Sequence, residues 1–182
     1  MNRALVIIDE QMDYFPGGRM ELVGSEAALE TTLKVLENAR KSGWKIFHVQ
    51  HIAAKPGATF FLPGTPGVEI HPKLGPLPGE TVVQKNYPNS FRATNLEKLL
   101  REAGISDLVV CGMMTHMCVD TTVRAAFDLG FAIELVSDAC ATRNLAYGGK
   151  AVRAEEVQAA YLAALSETFA KTVTGAEAIR GR

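Results

Sequence analysis

Short apolar runs alternate along the chain with segments whose apolar residues recur every three or four positions. Residues 4–9 form an unbroken apolar run closed by Asp9, the pattern of a strand buried on both faces of a parallel sheet. Across 26–41, Leu29, Leu33 and Leu36 make one helical stripe, and Gly43 is placed to stop it. Residues 45–49 and 81–84 read as the second and third strands. Thr94 and Glu97 have the spacing of a capping box, which opens a helix ending near Gly104. A fourth strand spans 108–111 with Gly112 at its exit, and Val119, Val123, Ala126 and Phe127 stripe a helix over 116–129. Residues 132–136 are a fifth strand. Val157, Tyr161, Ala164 and Leu165 mark a last helix, and Thr172-Val173 starts a short sixth strand. Strands alternating with helices predict βαβ units. The expected fold is α/β and three-layered, with a mostly parallel sheet of five to six strands and helices on both faces. Only 52–80 breaks the rhythm: it carries six of the eight prolines and reads as a lid or an assembly arm.

Composition narrows the class. At 182 residues, the chain reads as a single domain over 1–182, large enough to bury a core without disulfides or metal. Lys+Arg 19 against Asp+Glu 20 leaves a net charge of -1, so no basic field exists for nucleic acid or an anionic membrane. The first apolar run is too short for a membrane span and too soon followed by acids for a signal peptide. Cys111, Cys118 and Cys140 cannot all pair and lack a zinc spacing, so the expected location is a reducing cytoplasm. A small molecule is the expected partner.

Ligands of open parallel sheets bind beyond the carboxyl ends of the strands. At that edge the first strand delivers Asp9, the third Lys85, and the fourth leads through a turn to Cys118 at a helix start. Alone, each has an ordinary reading: a strand cap, a solvated lysine, a small buried hydrophobe. Together they form an acid, a base and a thiol at one edge. A thiolate is a nucleophile, favoured by a helix N-terminus and an ammonium, and a neighbouring carboxylate can take its proton. Backbone N–H groups of the 114–118 turn can hold an oxyanion. Those parts suffice for acyl transfer through a thioester, with neither metal nor organic cofactor.

Residues 6–15 (VIIDEQMDYF) resemble the D-x-Q-x-D-F opening of the isochorismatase-like cysteine hydrolases. Val83-Gln84-Lys85 with Asn89-Ser90-Phe91 is similar to their lysine motif, and 110–119 (VCGMMTHMCV) to their G-x-x-T-x-x-C-V nucleophile turn. Residues 61–67 and His71-Pro72 match a further stretch of that family, so the resemblance runs from residue 4 to about 174. It implies a Rossmann-like sheet with Cys118 as nucleophile, Asp9 as general base and acid, Lys85 as electrostatic partner, and an oxyanion hole from the Met114 and Cys118 N–H groups. It also implies a cis Met113–Met114 bond and a homo-oligomer.

Departures from the family pattern narrow the chemistry. Members that cleave the vinyl ether of isochorismate typically carry glycine where this chain has Cys118, which favours a carbonyl substrate. Nicotinamidases carry a D-x-H metal motif. Here Val49 replaces the acid, and His48 and His51, three apart, leave a strand on opposite faces, so no metal site is expected. Phe15, Gln50, His51, Tyr87 and Phe91 are candidates for lining the pocket by their nearness in sequence. The expected activity is metal-independent hydrolysis of a C–N bond in a small amide, ureido or carbamoyl compound. The alternatives are a nicotinamidase or isochorismatase proper, and a thiol sensor on the same fold.

Overall fold

The computed structural model describes residues 2–180. Six parallel strands form one sheet in the order β3-β2-β1-β4-β5-β8. They are β1 (Arg3–Ile8), β2 (Lys45–His51), β3 (Thr81–Lys85), β4 (Asp107–Met113), β5 (Ala132–Ala141) and β8 (Lys171–Val173). Helices α1 (Ser25–Lys41) and α5 (Gly175–Arg180) cover one face, where Leu29, Val35, Leu36 and Ala178 bury against Leu5, Ile7 and Val109. Helices α2 (Leu96–Glu102), α3 (Asp120–Asp128) and α4 (Ala154–Thr168) cover the other, where Leu100, Val123 and Leu165 pack on Val6, Ile8 and Val110. This is the expected three-layer fold with helices on both faces. β1 and β4 are buried almost throughout, which is why they read as apolar runs rather than alternations.

Several boundaries differ from the sequence reading. Asn95, not Thr94, is the residue before α2. The Thr94 hydroxyl donates to Ser90 O (2.6 Å), so no capping box forms there. Residues Thr115–Val119 wind as one wide turn, with the Val119 N–H donating to Met114 O (3.2 Å), before α3 begins. β5 runs five residues beyond the expected end through a register shift against β4 between Val110 and Gly112. A hairpin of β6 (Leu145–Tyr147) and β7 (Lys150–Val152) was not anticipated. Its signal is the Gly148-Gly149 pair, both at positive φ, which a two-residue hairpin turn requires.

The 52–80 arm contains two short 3₁₀ turns, Pro66–Val68 and Pro72–Leu74, and is fastened to the opening motif. The Gln11 side chain donates to His51 O (2.9 Å) and Val68 O (2.6 Å), and Asp13 accepts from the Phe61 N–H (2.6 Å). Gly67 passes so close to the Asp13 carboxylate that a Cβ would lie 2.1 Å from its oxygen. The arm is therefore a stapled wall.

Two substitutions test the sheet. Gly112 has φ +123°, and a Cβ there would stand 2.0 Å from Ile8 O on β1. Gly112→Ala is expected to cost about 3 kcal/mol, measured by urea unfolding. Glu10 is buried beneath α1 with the Thr32 hydroxyl donating to Oε1 (2.6 Å), while Oε2 has no partner among the described residues. Burial raises its carboxyl to about 8, against the smaller lowering effect of Thr32. A folded-state pKa raised above the unfolded value makes its stability contribution complete below about pH 4.5 and lost as pH rises to about 8. Glu10→Gln should flatten stability over that window, removing a slope of about 1 kcal/mol per pH unit.

Candidate active site

The strand order reverses between β1 and β4, so the crevice opens beyond their carboxyl ends. Asp9 follows β1 with φ +50°, a left-handed backbone that breaks the strand beside the crevice. Gly112 lets β4 lie against β1, and the Met113–Met114 peptide bond that follows is cis. The wide turn then carries Cys118. Thr115 ties this turn down, its hydroxyl within hydrogen-bonding distance of Ala141 O (3.2 Å) and Gln158 Oε1 (2.7 Å). Ser90 anchors the segment after β3, its N–H donating to the Thr122 hydroxyl of α3 (3.0 Å).

β3 is separated from β1 by β2, a gap of about 9–10 Å that the lysine stem must cross. Lys85 crosses it: Nζ lies 2.7 Å from Asp9 Oδ2 and 3.1 Å from Cys118 Sγ. Lys85 and Asp9 are fully buried at their side chains, and Cys118 is 5% exposed. Among the described residues, Asp9 Oδ1 has no hydrogen-bond partner. Burial alone would discharge Lys85, but Asp9 and then Cys118 outweigh it, and its pKa lies above the ordinary lysine value. The thiol behaves differently. Burial first, then the Asp9 charge, pushes the Cys118 pKa up by more than Lys85 lowers it. These surroundings favour the thiol over the thiolate, in keeping with the expectation that the neighbouring carboxylate takes its proton.

His51 pairs with Lys85 across β2 and β3, and its Nδ1 lies 3.1 Å from Nζ. Strand alternation puts Gln50 and Gln84 on the opposite face, where the Gln84 side chain donates to Gln50 Oε1 (3.0 Å) and Gln50 donates to Val68 O (3.0 Å). His48 faces that side too and reaches Glu80 Oε2 (2.8 Å). Tyr87 meets Lys85 through its carbonyl oxygen (3.1 Å), while its ring lies under the Arg92 guanidinium. Phe91 stacks on Phe131, and Phe15 packs against His71. His116 is held by Thr142 Oγ1 (2.6 Å). Thus, of the five expected lining residues, His51 and Tyr87 touch Lys85; Gln50 braces the arm, and the Phe15 and Phe91 rings pack against His71 and Phe131.

Tyr14 was overlooked. Its ring is 1% exposed, lies 4.6 Å from the Phe61 ring, and its hydroxyl feels the charges of Cys118 and Asp9. Burial, then those two groups, keeps it protonated. The available signal was its position, since Tyr14 stands at the phenylalanine of the D-x-Q-x-D-F pattern.

Asp9, His51 and Cys118 offer donor atoms within 4.8 Å of one another, a spacing that suits a divalent ion. The Lys85 ammonium already stands 2.7, 3.1 and 3.1 Å from those residues' donor atoms. A second cation would meet that charge in a buried site, so this cluster does not fit a metal. The D-x-H position is no better, because Val49 is an apolar core residue.

A family model for the isochorismatase domain matches residues 3–177. The chain belongs to the isochorismatase family. A Bacillus subtilis isochorismatase family protein, YddQ, is 49% identical over 174 residues, covering 96% of this chain and 97% of that one. The crystal structure of an isochorismatase from Pseudomonas putida superposes with a TM-score of 0.91 at 39% identity, covering 97% of this chain and 89% of that one. A ureidoacrylate amidohydrolase of Azorhizobium caulinodans is 27% identical over 169 residues, covering 75% of this chain and 74% of that one. This family member has no helix, among its described residues, long and apolar enough to cross a membrane.

Proposed function

We propose that this isochorismatase-family hydrolase is a cysteine amidohydrolase that cleaves a C–N bond of a small amide, ureido or carbamoyl compound through a thioester. The observation that carries this reading is the Lys85 ammonium placed 2.7 Å from the Asp9 carboxylate and 3.1 Å from the Cys118 sulfur. Cys118 Sγ attacks the carbonyl carbon while its proton passes to Asp9. The Met114 and Cys118 N–H groups receive the oxyanion. Collapse breaks the C–N bond as Asp9 returns the proton to nitrogen, and ammonia or an amine leaves. Water then gives a proton to Asp9 and attacks the thioester. The C–S bond breaks, the acid departs, and the proton returns to sulfur.

Because the surroundings favour the thiol, the carboxylate takes the proton in the same step as the attack. Lys85 opposes protonation of Asp9 and stabilises negative charge on sulfur as it develops. With only 5% of Cys118 exposed, the site admits a small electrophile. The ureidoacrylate relative supports the choice of amide-type substrates. Three free, buried cysteines suit a reducing cytoplasm. An ammonia-release screen over small amides and ureas, with mass spectrometry of the quenched enzyme, tests the reading. An acyl adduct on Cys118 is expected; turnover without one, or oxidised forms alone, would overturn it.

A further inference from the structure

We infer that His51 is a positioning residue: its Nδ1 accepts a hydrogen bond from Lys85 Nζ and holds the ammonium against Asp9 and Cys118. The inference rests on the reaction proposed above. An ammonium has three protons, and four groups lie close to Nζ: Asp9 Oδ2 at 2.7 Å, with His51 Nδ1, Tyr87 O and Cys118 Sγ each at 3.1 Å. A thiol sulfur is the weakest acceptor of the four, so the strong hydrogen bonds go to Asp9, His51 and the Tyr87 carbonyl, with the bond to sulfur secondary. Asp9 changes its charge during the reaction, whereas His51 and Tyr87 O do not. Those two are the fixed points from which the lysine acts.

The strand end that carries the imidazole is itself clamped. The His51 backbone N–H donates to Gln11 Oε1 (2.7 Å), Gln11 Nε2 donates to the His51 backbone O (2.9 Å), and the Phe61 ring of the arm lies 5.9 Å from the imidazole. Gln11 of the opening motif thus reaches the reaction centre through His51. Acceptance at Nδ1 requires the tautomer protonated on Nε2, and a doubly protonated ring cannot accept at all. The charged groups facing the ring are Lys85 from β3 and Asp9 from the end of β1, with the Cys118 thiol beside them. Burial, and then Lys85, lowers the His51 pKa, against the raising effect of Asp9. The ring is therefore neutral at neutral pH, and acid that protonates it sets two cations 3.1 Å apart.

Two variants separate this role from mere packing. His51→Asn keeps an acceptor near the Nδ1 position but does not titrate. His51→Leu fills the space without an acceptor and strands a buried N–H of Lys85. On an amide turned over by the wild type, His51→Leu should lower kcat at least about tenfold with KM within threefold. His51→Asn should keep kcat within a few-fold and carry the acid limb of kcat/KM to lower pH. A second readout needs no substrate: Cys118 alkylation by iodoacetamide at pH 8 should slow in His51→Leu, where Lys85 no longer assists the thiolate, and not in His51→Asn. If His51→Leu does not fold, His51→Gln, whose amide reaches past the Nδ1 position, takes its place. Unchanged alkylation and kcat in the acceptor-less variant, or an unmoved acid limb in His51→Asn, would overturn the inference. Absence of amide turnover by the wild type overturns the proposed reaction instead, leaving the alkylation rates to judge His51.

Discussion

Cys118→Ala is expected to lower kcat/KM by about 10,000-fold or more on any amide that the wild type hydrolyses, while the far-ultraviolet circular dichroism spectrum stays unchanged. Neither other thiol can replace it. Cys111 is fully buried under α1 with its pKa far above the ordinary value. Cys140 is buried, donates to Val136 O (3.3 Å) and is pushed up to about 12, burial being the main cause in both. The loss should also be indifferent to pH. In the wild type, a raised Cys118 pKa would make activity climb about tenfold per pH unit through the neutral range if free thiolate were the reactant. With Asp9 taking the proton in the same step, kcat/KM should instead be flat there. A log-linear alkaline rise would remove Asp9 from its proposed role.

Lys85→Met should be the most damaging single change for stability, by about 3–5 kcal/mol in urea titration at neutral pH. The side chains of Lys85 and Asp9 are both wholly inaccessible, and no second cation stands beside Asp9 among the described residues. Removing the ammonium strands a carboxylate in a low-dielectric site, where it must either remain charged without a partner or take up a proton. The double variant Asp9→Asn with Lys85→Met removes both charges, so it should recover most of the loss while remaining inactive. If the single and double variants are equally unstable, packing of the lysine stem, not the ion pair, is what matters there.

The two predictions draw on information of different origin. Asp9, Lys85 and Cys118 were legible because parallel strands all finish at one edge, so three strand ends that carry an acid, an amine and a thiol must share it. The parallel sheet and the helical layers followed from the alternation of apolar runs and helical stripes. Gln11 and Asp13 look like further chemistry in the opening motif, yet both spend their side chains fastening the arm. Phe15 and Tyr14 are adjacent and both aromatic. Only the path of the chain after β1 decides that Tyr14 faces the charged cluster while Phe15 packs against His71.

By itself, the order of residues determined the α/β architecture and which three side chains meet, because strand direction and burial are written in local patterns of apolar spacing. Tertiary structure alone decided how deeply the thiol is buried, that His51 lies against Lys85, and how the 52–80 arm is fixed. Those depend on desolvation and on distances of about 3 Å between residues far apart in the chain, and no periodicity encodes either.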